Sequence, residues 1–314
     1  MTIPFNRTIK QLGDNGLAKT ISRIIGITIK QARFKIKYVP EMKTVNVNTC
    51  SMLLYPRKKG IHSELFHYRK REPMVTDFLT HTNLLHEGDT VLDIGANIGY
   101  YALLESKLVG ETGTIYACEP VYENFRLLCN NVMINKATNI KVNSFAFGSK
   151  NGKGEIFVTQ RCNCCTLRRN SQTNIIDVQQ VPITTVDTFL KGKQTPTLIR
   201  MDVEGYEYEI LKGMTETLKE DMMLLIEVHT VLLSNLEDFL DILEHNGYCA
   251  LLVVFEEKVP HNEVVSVLLK NGGESYPKYY SNLSISKLRE ILKVEQVSPN
   301  VFFAKKETKL NLKN

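Results

Sequence analysis

The stretch Thr90-Val91-Leu92-Asp93-Ile94-Gly95-Ala96-Asn97-Ile98-Gly99-Tyr100-Tyr101-Ala102-Leu103-Leu104 organises the rest of the chain. Apolar, largely β-branched residues surround an aspartate, two glycines make a turn, and apolar residues return at helical spacing. That pattern reads as buried strand, tight turn and helix. Gly95 and Gly99 let backbone amides approach a ligand closely at a helix N-terminus, so the unit is a candidate nucleotide cradle.

A pyrophosphate grip requires three glycines as G-x-G-x-x-G, and only Gly95 and Gly99 are present, which disfavours a dinucleotide-dependent dehydrogenase. Asp93 falls near the carboxyl end of the strand, where open α/β sheets bind ligands. Its charge repels phosphate and suits an ammonium or sulfonium ligand such as S-adenosylmethionine. Asn97 stands in the turn, and asparagine tolerates a left-handed backbone.

Downstream, Gly113–Cys118 reads as a second strand ending at Glu119-Pro120, with a helix from Glu123 to Asn135. Glu119 is placed beside the cradle, where its carboxylate can accept both hydroxyls of an adenosine ribose. Ile140–Ala146 reads as a third strand, with Asn143, Phe145 or Ala146 flanking the adenine. Residues 149–184 interrupt the repeat with short strands at Glu155–Val158 and Val178–Thr184, a β-rich insertion expected near the mouth of the site. Cys162, Cys164 and Cys165 lie inside it without a second Cys/His pair at finger spacing, so a loop with incidental thiols is preferred to zinc.

A second chemical cluster starts at Pro196. Thr197–Asp202 reads as a fourth strand followed by Val203-Glu204-Gly205-Tyr206-Glu207 and a helix, and Met222–His229 as a fifth strand ending in Glu227 and His229. Asp202, Glu204, Glu227 and His229 would then converge on the carboxyl edge of a doubly wound sheet. The bland readings are a helix-dipole role for Glu204 and Glu207 and a satisfied core role for His229. Two matching strand ends carrying four such groups favour the functional reading. Asn235–His245 reads as helix, Tyr248–Phe255 as a sixth strand, and Asn300–Ala304 as a late strand inserting antiparallel at the edge.

Composition bounds the alternatives. The 314 residues are 43% hydrophobic and 23% charged, and no apolar run or leader pattern reads as a membrane span or signal peptide, which points to a soluble, cytoplasmic α/β protein. Seven cysteines without scaffold spacing read as reduced thiols. Residues 1–80 hold 15 Lys+Arg against 5 Asp+Glu, a balance of +10, so the remainder balances at −5. Residues 17–38 mix apolar and basic positions as an amphipathic helix would. Peripheral contact with a membrane or nucleic acid is open to such a segment, and packing as an accessory with a solvated basic face is preferred. Met42–Tyr55 reads as one or two short strands, residues 63–85 as helical, with Glu72-Pro73 starting a helix. The expected organisation is an accessory region 1–62, a catalytic domain 63–305 and a polar tail 306–314. The sequence leaves the oligomeric state open.

The set Val91–Tyr100, Glu119-Pro120, Arg200–Glu207 and Glu227–His229, in this order and spacing over residues 70–305, resembles the FkbM-type S-adenosylmethionine-dependent methyltransferases. The resemblance implies a Rossmann-like, class I methyltransferase fold: an α/β architecture with a seven-stranded, mostly parallel sheet ordered 3-2-1-4-5-7-6, helices on both faces and an N-terminal elaboration. It implies cofactor contacts at Asp93, Gly95, Asn97 and Glu119, to which the residue reading adds Gly99 and Ala146, and a functional cluster at Asp202, Glu204 and Glu227. Arg200 departs from the lysine common in the family, and the Cys162–Cys165 loop from its small polar residues.

The expected activity is O-methylation of a hydroxyl on a sugar, glycan or small natural product. His229 or Asp202 is the candidate base, with Glu204 and Glu227 orienting base or substrate. A divalent cation held by Asp202, Glu204 and Glu227 is ranked below a metal-free site. An RNA methyltransferase using the basic N-terminal region and a non-catalytic cofactor-binding module are the rivals. The first lacks an Asp-Pro-Pro-Tyr-like sequence after strand four, and the second gives no reason for the Asp202, Glu227 and His229 constellation.

Overall fold

Strand alternation divides the hydrophobic residues into two layers, and the sheet between them sets the architecture. The computed structural model describes residues 41–160, 164–168, 174–233, 235–256, 278–294 and 298–305. The 17–38 segment, Cys162 and the 306–314 tail lie outside the described residues.

The central strands are β3 (Thr90–Ile94), β4 (Thr114–Cys118), β5 (Ile140–Asn143), β9 (Leu198–Met201), β10 (Met223–Glu227), β11 (Tyr248–Phe255), β12 (Lys278–Leu283) and β13 (Asn300–Lys305). They form one sheet in the order β5-β4-β3-β9-β10-β13-β11-β12. The first five are parallel, and β13 runs antiparallel to both neighbours. The first seven places reproduce the order 3-2-1-4-5-7-6. An eighth strand, β12, adds antiparallel pairing beyond β11, and β13 is interior where an edge strand was expected from its own residues.

Val91, Leu198, Leu225 and Phe302 face one layer, which holds α1 (Ile61–Tyr68), α2 (Pro73–His81), α3 (Tyr100–Leu108) and α4 (Tyr122–Ile134). Leu92, Ile199, Leu224 and Phe303 face the other, with α5 (Val186–Leu190), α6 (Glu207–Lys212), α7 (Leu236–His245) and α8 (Ile285–Val294). Burial of these large side chains on both faces is the main stabilising term, at roughly 1.5–3 kcal/mol for each fully buried side chain. Pro73 occupies the first turn of α2, where its missing N–H costs no hydrogen bond.

The described residues from Met42 onward belong to one compact unit. The hairpin β1 (Lys43–Val47) and β2 (Cys50–Leu54) belongs to it, burying Val47, Met52 and Leu54 in the first layer. The side chains of Asn131 in α4 and of Asn135, which caps its C-terminus, accept the backbone N–H groups of Leu53 and Ser51 at 2.7 and 2.9 Å. The third strand stops at Asn143, and Ala146–Phe147 instead starts a separate three-stranded sheet as β6. There it pairs with β8 (Ile175–Thr184), which pairs in turn with β7 (Gly152–Thr159). The expected β-rich insertion is this sheet. Among the described residues no helix is long and apolar enough to cross a membrane.

Candidate active site

The turn after β3 is shaped by crowding. Gly95 has φ +84°, and a Cβ there would come within 2.0 Å of the Asp202 carbonyl oxygen. Only glycine lets the turn and the end of β9 cross this closely. Gly99, at φ +92°, lies against Leu128, where a Cβ would meet Cδ1 at 2.7 Å. Asn97 adopts the left-handed backbone expected of it, with φ 51°.

Glu119, just past β4, ties this turn to the next one. Its Oε2 accepts the Asn97 N–H at 2.9 Å and its Oε1 accepts the Val121 N–H at 2.8 Å. Burial pushes the carboxyl up to about 7, against the pull of these bonds and of one from the Asn124 side chain. Each carboxylate oxygen has capacity for a second donor, so the fixed group can still receive hydroxyls.

Gly95, Asn97, Glu119 and Ala146 line one open cleft. Asp202 and Glu204 line it from the β9 side, Arg71, Tyr100 and Tyr101 from the α2 and α3 side, and Ile156, Cys165, Thr166 and Leu167 from the insertion. Phe145 also lines it, whereas Asn143 does not.

Two residues expected at the cofactor, Gly99 and Asp93, do not themselves line this cleft. Gly99 packs on α4 outside the cleft lining. Asp93 is fully buried on the first-layer face of the sheet, also outside the lining. Its Oδ1 accepts Arg200 Nη1 at 3.1 Å, while Arg200 Nη2 donates to Asp202 Oδ2 at 3.0 Å. The guanidinium also lies 4.0 Å from the Tyr101 ring centroid. Burial raises the Asp93 carboxyl, Arg200 pulls it down, and the charge of Asp202 adds to the rise. The departure from lysine at position 200 therefore supplies a fork that a lysine lacks, joining two carboxylates.

Asp202, Glu204, Glu227 and His229 do converge. His229 Nε2 lies 3.4 Å from Glu204 Oε2 and 3.6 Å from Glu227 Oε1. Its Nδ1 lies 2.7 Å from Glu207 Oε1, which also accepts the Gly205 N–H at 3.2 Å. Glu204 has φ 54°, a left-handed conformation costly for a residue with a side chain and concentrated at functional sites. Burial alone would lower the His229 pKa, but the carboxylates of Glu207, Glu227 and Glu204 raise it well above the ordinary 6.5. Asp202, the other candidate base, lines the cleft directly, whereas His229 does not.

Sequence reasoning missed Arg71 and underrated Glu207. Arg71 is buried, with Nη1 3.2 Å from Glu64 and Nη2 2.8 Å from Glu72, 3.8 Å from Asp202 and 3.9 Å from Glu227. The nearby Pro73 marks a helix start, but nothing local shows that the arginine before it is buried against strands more than a hundred residues away.

The strand order, the glycine turn and the cleft at the carboxyl ends of β3, β4 and β9 define a Rossmann-like methyltransferase. The Methyltransferase FkbM domain matches residues 93–249, half of the chain, and the chain belongs to that family. It is 26% identical over 147 residues to the hexuronic acid methyltransferase AglP of Haloferax volcanii, a match covering 46% of this chain and 57% of that protein. The match thus spans little more than half the length of that relative. Among solved structures, the FkbM methyltransferase of Methylobacillus flagellatus is similar at 20% identity and TM-score 0.36, over 50% of this chain and 37% of that one. An S-adenosylmethionine-dependent O-methyltransferase of Thermotoga maritima is similar at 13% identity and TM-score 0.41, over 86% of this chain and 79% of that one.

Proposed function

We propose that this methyltransferase uses S-adenosylmethionine to methylate a hydroxyl of a sugar, glycan or small natural product. The observation carrying the reading is the arrangement around one cleft, with the Glu119 carboxylate fixed beside the Gly95 turn and Asp202 and Glu204 lining the cleft from the end of β9. The first group suits the ribose hydroxyls of the cofactor. The second suits an acceptor hydroxyl, which is a poor nucleophile until a base takes its proton. The name of the relative AglP, a hexuronic acid methyltransferase, supports a sugar acceptor.

On this reading the acceptor oxygen is held in line with the methyl–sulfur bond, and positioning supplies much of the rate. Its proton passes to Asp202 as the oxygen–methyl bond forms and the sulfur leaves as a neutral thioether. His229, bridged between Glu207 and Glu204, orients the acidic wall. Incubation with methyl-labelled S-adenosylmethionine and pools of glycans, lipid-linked sugars, small molecules and RNA tests the proposal. Label is expected in a sugar or small-molecule pool, base-stable as an ether is. Label confined to RNA, or none in any pool, would overturn it.

A further inference from the structure

We infer that Asp202, Glu227 and His229 form a binding site for one divalent first-row metal ion, with manganese the best-matched class. The chain brings a carboxylate oxygen of each acid and a ring nitrogen of the histidine within 4.8 Å of one another. The three residues come from the carboxyl ends of the adjacent strands β9 and β10. Strand alternation puts Glu227 on the same sheet face as Leu225, whose pairing partner is Arg200, and Asp202 follows Arg200 by two residues.

The histidine supplies an independent indication. His229 is 4% exposed, and its Nε2 makes no hydrogen bond although it points among carboxylates. Its separation of 3.6 Å from Glu227 Oε1 is long for a hydrogen bond. It is close to a polyhedron edge, because ligands about 2.1 Å from one ion stand about 3.0–3.4 Å apart at octahedral or tetrahedral angles. The other ring nitrogen is held by Glu207 at 2.7 Å. A carboxylate accepts there, so Nδ1 carries the hydrogen and Nε2 is left to coordinate, the arrangement by which carboxylates orient metal-binding histidines.

One nitrogen and two carboxylate ligands suit manganese, iron or zinc better than calcium, which prefers oxygen alone. Arg71 is anchored by Glu72 at 2.8 Å and Glu64 at 3.2 Å, and it reaches Asp202 and Glu227 only at 3.8 and 3.9 Å. It therefore borders the ligand set while leaving the His229 side to the ion. Asp202 also lines the cleft, so open coordination positions would face the acceptor; this role, unlike the binding itself, rests on the methyltransferase reading.

The test is titration of chelator-stripped, full-length protein with Mn²⁺, with free ion followed by electron paramagnetic resonance. One ion per chain is expected. Asp202→Asn and Glu227→Gln, which preserve shape, should each weaken binding by roughly tenfold or more, while Glu155→Gln on the exposed β7 strand should not. Circular dichroism verifies that the variants are folded. Absence of stoichiometric binding by the wild type, or unchanged binding in both ligand variants, overturns the site. Calorimetry with S-adenosylhomocysteine on the same samples separates the two claims. Cofactor binding without Mn²⁺ binding sinks this inference alone, and Mn²⁺ binding without cofactor binding upholds the site while removing the methyltransferase role.

Discussion

Asp93 and Arg200 stand opposite each other on the adjacent parallel strands β3 and β9 and pair at 3.1 Å beneath the cleft. Their side chains are almost wholly buried, and Arg200 spans from Asp93 to Asp202 at 3.0 Å. A charge pair this deep gains little over apolar packing, but removing one partner leaves the other charge uncompensated. The pair thereby fixes the position of Asp202 relative to the turn.

Arg200→Met should therefore destabilise the protein by about 3–5 kcal/mol. The double variant Asp93→Asn/Arg200→Met should lose less than the sum of the two single changes. Arg200→Lys should fall between wild type and Arg200→Met, because a lysine cannot reach both carboxylates as a fork. Urea unfolding of the four variants measures all three differences.

Gly95→Ala should cost more than Gly99→Ala. Both impose a side chain on a left-handed backbone, at roughly 1–2 kcal/mol. At position 95 the added carbon also strikes the Asp202 carbonyl at 2.0 Å, whereas at 99 it meets the movable end of Leu128 at 2.7 Å. The same urea measurement ranks them, and equal costs would show that the β3–β9 crossing relaxes easily.

His62 predicts an acid-sensitive component of stability. Its Nδ1 accepts the Tyr55 N–H at 3.4 Å, and burial, with the charge of Lys58 adding, lowers its pKa to about 4 while Glu123 opposes. Between pH 6.5 and 4 the unfolded chain binds a proton that the folded chain refuses. Stability from this residue is complete above 6.5 and falls by up to about 3 kcal/mol toward pH 4. Glu119 and Glu256, both pushed up to about 7 by burial, act in the opposite sense, their folded forms keeping protons that the unfolded chain releases between 4.5 and 7. The contribution of His62 is therefore read as the difference between wild type and His62→Gln melts across pH 4–7. A difference independent of pH would contradict it.

The fold was legible where one chemical pattern repeated locally. The run into Asp93, the run into Glu119 and the runs into Asp202 and Glu227 each signalled a strand, and the sheet brings the ends of all four to one edge, with Asp93 inside β3 opposite Ala117 and Arg200. The Asn97 backbone was readable from its side chain and position. What escaped depended on register. Asp93 looked like a ligand-facing acid because its partner lies 107 positions away. Only the pairing of β3 with β9 shows that both side chains enter one face. Glu207 looked like a helix-dipole residue because its contact with His229 joins two separate turns. Ile140–Ala146 looked continuous because the switch of Ala146 to the second sheet requires β8, which arrives some thirty residues later.

On the proposed function, the cleft beside Glu119 holds the adenosyl cofactor. Titration calorimetry of the full chain with S-adenosylhomocysteine tests it most directly. One site per chain is predicted, weakened in Glu119→Ala by about 1–3 kcal/mol as hydrogen bonds to the ribose are lost, and unchanged in Glu155→Gln. No binding to folded wild type, or equal binding in wild type and Glu119→Ala, would contradict the account.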